Sequence, residues 1–284
     1  MPEDYEFALC LTHDVDRPYK TFQAPYYAVQ EHDLSHLKSL VSSERPYWQF
    51  EEIMELEEDL GVRSTFFFLN EKHLFRDKGP RDWVKLKNWK LFTGRYDIMD
   101  EEIVDVIQTL DKGGWEVGLH GSYESYNDLE RLRYEKEVLE SILGHEVVGG
   151  RQHYLNFDRP RTWEYHREIG LRYDASSGSS TEFGFEHGYQ PFRPFDDEFV
   201  VLPLTAMEVT LLDDSLDEAK NRLDRLMAEA AEHGAAMTVL WHPKFFNESE
   251  FQGYRSLYRW LIRTAQEQNA WIGPCEELYE RHLT

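Results

Sequence analysis

The sequence predicts an α/β fold, a single-domain (β/α)7-type barrel of parallel strands, on three observations. Short apolar runs alternate with longer amphipathic stretches along all 284 residues. No shift in composition marks an internal boundary, so residues 1–284 read as one domain. About seven strand–helix repeats in this length favour a closed barrel over an open doubly wound sheet. No Gly-rich phosphate loop follows the first strand, which weakens a nucleotide-binding alternative.

The elements follow from periodicity. Residues 7–12 read as a buried strand, and 50–60 as a helix with Phe50, Ile53, Met54 and Leu60 mostly on one face. Residues 64–69 make a second strand. The helix over 100–110 spaces Ile103, Val106, Ile107 and Leu110 by three and four. Further strands are predicted at 115–119, 146–149, 171–173, 199–204, 236–241 and 271–273, and further helices at 129–143, 216–231 and 254–266. Gly61, Gly113, Gly144, Gly170 and Gly234 read as helix ends. Two stretches, 17–47 and 70–96, are aromatic-rich and weakly periodic. They are expected to be extended loops over the mouth of the barrel.

Composition excludes several functions. With 54 acidic and 31 basic residues the formal charge is −23, which repels nucleic acid and anionic membrane surfaces. The basic set is 11 Lys and 20 Arg, and this scarcity of Lys on an acidic chain points to a halophilic host. No apolar run approaches the ~20 residues needed to span a bilayer. Cys10 and Cys275 lie in apolar segments and read as buried thiols, not a disulfide framework. The first six residues lack a basic and an apolar region, so no leader is read and a cytoplasmic location is expected.

In a parallel barrel the chemistry gathers at the C-terminal ends of strands. There the sequence places Thr12-His13-Asp14-Val15-Asp16, His120 to Glu124, Arg151-Gln152-His153-Tyr154, Asp174, Glu208 and His242. Each has a structural alternative. Two acids two apart commonly make a turn, a lone His is commonly a hydrogen-bonded support, and an Arg commonly a surface ion pair. Polar groups at six strand ends together are harder to dismiss, because burying them without a metal or a reaction to use them is costly. Alternation points His13 opposite to Asp14, which makes it structural.

In this order the motifs resemble the polysaccharide deacetylase (NodB-homology) family. Thr12-His13-Asp14-Val15-Asp16 is similar to its first, aspartate-rich motif, and Ser64-Thr65-Phe66-Phe67-Phe68 to its second strand. Gly114 to His120 (GWEVGLH) is similar to its G-x-E-I-G-x-H, Arg151-Gln152-His153-Tyr154 to its R-x-P-Y, and Leu240-Trp241-His242 to its L-x-H. The sequence departs from the pattern twice. Glu124 stands where the metal motif has a second His, and His153 where the family has Pro.

The resemblance implies a distorted barrel and an N-acyl (acetyl) hydrolase acting on an amino sugar or polysaccharide precursor. It implies a divalent ion, with zinc expected, held by Asp16, His120 and either His153 or Glu124, of which His153 is preferred. It makes Asp14 the general base, Arg151 its orienting partner and His242 the general acid. His242 would be oriented by Glu208 in preference to Asp174. The ion and a backbone N–H near Tyr154 would stabilise the oxyanion. Tyr154 and Trp241 are candidates to stack on sugar rings, with core packing as their alternative. His187 and Arg193 lie in a loop that could reach substrate. Two rival readings are a metal-independent cyclic amidase and a carbohydrate-binding pseudoenzyme. Retention of both Asp14 and His242 counts against the second.

Overall fold

The computed structural model describes residues 4–20 and 45–283. The strands are β1 (Phe7–Val15), β2 (Thr65–Leu69), β3 (Glu116–Gly121), β4 (Gly149–Gln152), β5 (Tyr173–Asp174), β6 (Val200–Val201), β7 (Ala206–Met207), β8 (Ala236–Leu240) and β9 (Ala270–Gly273). The helices are α1 (Phe50–Leu60), α2 (Leu74–Asp77), α3 (Pro80–Trp83), α4 (Leu86–Phe92), α5 (Glu101–Lys112), α6 (Leu129–Leu143), α7 (Arg161–Glu168), α8 (Leu216–His233), α9 (Tyr254–Glu267) and α10 (Cys275–Leu283).

β1 is buried along its whole length. Phe7, Leu9, Leu11 and Val15 face the large core shared with the helices, while Ala8 and Cys10 face a smaller one. A strand buried on both faces needs both residue sets apolar, which is why its sequence reads as a continuous apolar run. The parallel sheet runs β6-β5-β4-β3-β2-β1-β8-β7. β8 lies along one edge of β1; β9 pairs with residues 7–10 of the other edge and β2 with residues 12–15. Residues 200–207 serve both ends of the sheet. Val200, Leu202 and Leu204 donate backbone bonds to Arg172, Asp174 and Ser177, and Thr205 then donates to Thr238 as β7 joins β8. The sheet therefore curls into a barrel, the predicted α/β class.

The lumen is filled with side chains. Cys10, Phe67 and Tyr173 pack there against Cys275, Leu278 and Tyr279 of α10. Two glycines make room for the rings. A Cβ on Gly149 would lie 1.8 Å from the Tyr173 ring, and one on Gly118 2.6 Å from that of Phe67. Helices cover the outside. α1 buries Phe50, Ile53, Leu56 and Glu57 and stops at Gly61, which is left-handed at φ 68°. α1 and α6 have the predicted bounds, and α5, α8 and α9 differ by two residues or fewer.

Three expectations are corrected. The fourth strand is Gly149–Gln152, three residues later than predicted, because a strand made of Gly-Gly-Arg-Gln carries no apolar signal. Residues 70–96 are not extended; they hold the short helices α2, α3 and α4. α7 and α10 were not predicted; α7 buries Thr162, Trp163 and His166, too polar a face to register as amphipathic. Of the predicted loop over 17–47, residues 21–44 lie outside the described residues. Among the described residues, no helix is long and apolar enough to cross a membrane.

Candidate active site

Strand register gathers the polar residues. Leu69 pairs with His120 and His120 with Arg151, so β2, β3 and β4 end side by side next to the end of β1. Asp14 is almost fully buried, and its Oδ1 accepts from Arg151 Nη1 at 2.9 Å. Arg151 is fully buried inside the lumen, its guanidinium 4.7 Å from the Phe67 ring centroid. It also donates to the Ala175 carbonyl and to Thr12 Oγ1, both at 2.8 Å. Burial opposes the charge on Asp14, but the Arg151 guanidinium together with His120 and His242 outweighs it and lowers the pKa. Asp14 is thus held as a carboxylate.

Asp16, His120 and His153 bring one ligand atom each to within 4.8 Å of one another. His120 Nδ1 donates to the Arg151 carbonyl at 2.9 Å. His153 Nδ1 lies 3.3 Å from Glu71 Oε2 and donates to it. Each ring therefore turns an Nε2 lone pair inward. Those atoms stand 3.3 and 3.2 Å from Asp16 Oδ1. His120 Nε2 and Asp16 Oδ1 are both buried without a hydrogen-bond partner. Lone pairs converging on a carboxylate oxygen repel unless a cation lies among them; Arg95 Nη2 answers that of His153, at 3.3 Å, and leaves those of His120 and Asp16 unanswered. A tetrahedral zinc with bonds of ~2.0–2.1 Å has ligand–ligand edges of about 3.3–3.4 Å, which these spacings match. The donor set of two imidazoles and a carboxylate therefore fits a divalent ion. Burial opposes protonation of His120, yet Asp14 and Asp16 raise its pKa, so a positive charge is favoured at this point. Burial and the Arg95 guanidinium hold His153 neutral, with its pKa lowered to about 4.

His242 stands on the far side of Asp16, its Nε2 3.7 Å from Asp16 Oδ2. Its Nδ1 donates to Glu208 Oε1 at 2.6 Å, and Glu208 is fully buried. Burial disfavours the imidazolium, but the Glu208 carboxylate, with Asp16 and Asp14 behind it, more than compensates and raises the pKa to about 9. His242 is protonated at neutral pH, with Nε2–H directed at the mouth.

The other candidates separate. Glu124 is held by Lys72 at 3.1 Å and Lys78 at 2.5 Å, away from the Asp16 cluster. Asp174 accepts from Trp163 and Ser176 and faces His166, so it does not reach His242. Trp241 is 1% exposed and packs against Tyr254 and Tyr258; it lines no part of the mouth, and its core-packing alternative describes it. Tyr154 is 49% exposed, at φ 59°, on a sharp turn that folds His153 inward and leaves the phenol at the mouth. His13 points away from Asp14, between the Trp241 carbonyl and Glu57. His187 pairs with Glu182 in its own loop, and Arg193 acts on Tyr279 and His282 near the C-terminus.

Sequence reasoning overlooked two residues. Glu71 orients His153 and sits two residues past β2, where the strand-end rule would have found it. Arg95, buried, places Nη2 3.3 Å from His153 Nε2 and donates to the Asp16 carbonyl from Nη1. It lies in an irregular loop and gave no signal. Above the cluster opens a cavity of about 870 Å³, walled on one side by Leu86, Trp89 and Tyr154 and on the other by Met207 and Val209.

Comparison of the sequence with family models and with curated proteins finds no match. Solved structures do match. One from Mycobacterium smegmatis, described as a polysaccharide deacetylase, aligns over 99% of this chain and 91% of its own at TM-score 0.65 and 16% identity. One from Pseudomonas aeruginosa PAO1, of the same description, covers 99% and 92% at 0.63 and 14%. A CE4 family pseudoenzyme from Bacillus anthracis covers 98% of this chain and 66% of its own at 0.54 and 12%. The fold of this chain is that of the polysaccharide deacetylases.

Proposed function

We propose that the protein is a divergent, metal-dependent deacetylase that hydrolyses the N-acetyl amide of an amino sugar in a glycan or glycan precursor. The observation that carries this reading is the convergence at one barrel mouth of three parts: a carboxylate held ionised by a buried Arg, a set of inward-facing ligand atoms, and an imidazolium backed by a buried Glu. A binding module needs no such division into base, ligands and acid.

Asp16, His120 and His153 would hold the metal, with zinc the ion their chemistry suits best. A divalent ion bound there supplies Lewis-acid polarisation of the acyl oxygen and lowers the pKa of water. Asp14 takes the proton of the attacking water, kept ionised and fixed in direction by Arg151. Glu71 and the Arg151 carbonyl fix the tautomers of His153 and His120. His242, oriented by Glu208, gives its Nε2 proton to the departing amine. The backbone N–H at the Tyr154 turn is available to the oxyanion.

The test pairs metal content with turnover. Full-length protein is dialysed, its metal measured by elemental analysis, and amine release followed from N-acetylglucosamine oligomers. Asp14→Asn is expected to keep the metal and lose turnover, and Asp16→Asn to lose both. His153→Ala is expected to lose far more metal than Glu124→Ala. A wild-type protein that retains no divalent ion, or an Asp14→Asn variant with near wild-type turnover, overturns the proposal.

A further inference from the structure

The charge at the mouth is opposite in sign to the charge of the molecule. The chain has formal charge −23 and 11 lysines, yet five of those lysines fall within residues 72–90, the segment of α2, α3 and α4 beside the cavity. Three of the five are committed to carboxylates: Lys72 and Lys78 hold Glu124, and Lys85 holds Asp82. Lys87 and Lys90 are not. They line the cavity, as do Arg17 and Lys244 from the other walls. Among the described residues, none of these four has a carboxylate within ion-pair distance. The carboxylates lining the cavity are Asp14 and Asp16, one bound to Arg151 and the other part of the metal-ligand set.

The cations sit beside apolar walls. Lys90 Nζ lies 5.8 Å from the Tyr154 ring centroid and Lys87 Nζ 5.1 Å from that of Tyr123, while Arg17 Nη2 bonds the Lys90 carbonyl at 2.5 Å and the Thr93 carbonyl at 3.4 Å. A ring face next to an ammonium suits a sugar that carries a negative group. A cleft of one sign in a body of the other focuses the field, and here it would draw in an anion that the rest of the surface repels. A neutral glycan would leave four cations unanswered.

We propose that the substrate is an anionic glycan: an N-acylated amino sugar whose neighbouring group, a carboxylate or a phosphate, is bound by Lys87, Lys90, Lys244 and Arg17. This rests on the deacetylase reading and adds the charge of the substrate to it.

The experiment measures binding, so that it does not depend on turnover. Asp14→Asn protein is titrated calorimetrically with three probes: a tetrasaccharide alternating N-acetylglucosamine and glucuronate, chitotetraose, and N-acetylglucosamine 1-phosphate. At about 0.1 M KCl one of the two anionic probes is expected to bind about tenfold more tightly than chitotetraose, and the gap to narrow at about 1 M. Which of the two binds more tightly identifies the source of the charge. Lys87→Gln/Lys90→Gln is expected to cut the ratio of anionic to neutral affinity severalfold, with Lys244→Gln as an independent second variant. Chitotetraose binding as tightly as both anionic probes overturns the inference, as does failure to bind any probe, or a ratio unmoved in both variants. Preference for an anion without amine release from any glycan would instead overturn the deacetylase reading alone.

Discussion

Glu208→Gln tests whether a buried carboxylate sets the proton on His242. The amide oxygen can still accept from Nδ1, so the ring keeps its orientation while the charge is lost. His242 has a pKa of about 9 against an ordinary 6.5, with burial lowering it and Glu208 the largest cause raising it. Two and a half units correspond to about 3 kcal/mol of differential interaction. Without the Glu208 charge, burial acts against the pull of Asp16 and Asp14 alone, and the pKa falls back towards 6.5. At pH 7.5 the protonated fraction then drops from nearly all to roughly a tenth, a loss of about tenfold in rate from protonation alone. A general acid must be protonated to act, so the alkaline limb of kcat/KM should move down by about two units. An ion on Asp16 weakens that residue's pull in wild type and variant alike, so the separation of the two limbs is the tested quantity. The assay is the pH profile of amine release, with the His242 imidazole followed in parallel by nitrogen NMR. Limbs or titrations that coincide within about half a unit refute the reasoning.

Three further outcomes follow from the structure. Glu116 is buried at the start of β3, and burial raises its pKa to about 7 despite bonds from Thr65 and Tyr173. The folded state then holds a proton that the unfolded chain releases near pH 4.5, so stability falls as pH rises from about 4.5 to 7, by about 3 kcal/mol. Glu116→Gln should flatten that slope in urea melts, and parallel curves would dismiss the cause. Gly149→Ala drives a methyl into the buried Tyr173 ring and should destabilise by about 1–3 kcal/mol; a neutral melt would show that the ring has room to move. Finally, with −23 formal charge, carboxylate repulsion should fade between about 0.1 M and 1 M KCl as the Debye length falls from about 10 to 3 Å. Tm should rise over that range, more than with an uncharged osmolyte, and a flat series would remove the halophile inference.

The strand-end rule placed Asp14, Asp16, His120, Arg151, His153, Glu208 and His242 at one mouth because each of them follows or closes an apolar run. It failed where a strand or wall is not apolar. β4 was placed early because Arg151 and the two glycines before it are there for the lumen and not for propensity. Trp241, left open between sugar stacking and core packing, continues the outward alternation of Met237 and Val239 into the helix-facing core, while His242 turns to the mouth. Glu71 obeys the rule but was passed over at the second strand. Arg95, Lys87 and Lys90 obey no period, since a wall of short helices is fixed by tertiary contacts.

Arg151 shows how the lumen and the chemistry are one construction. The two glycines before it leave the space that Tyr173 and Leu171 fill, so β4 can approach β5 closely. That approach lets Arg151 Nε reach the Ala175 carbonyl just past β5, and its Nη1 reach across to Thr12 and Asp14 on β1. Its own carbonyl takes the His120 proton and so turns that ring's lone pair inward. One residue thus fixes the charge of the base, the tautomer of a ligand and the spacing of three strands. Breaking a buried pair by removing one partner typically costs about 3–5 kcal/mol, so deleting Arg151 would confuse folding with function. Asp14→Asn keeps an oxygen for Arg151 to donate to but leaves that guanidinium without its counter-charge, so a melting curve beside the turnover measurement separates the two.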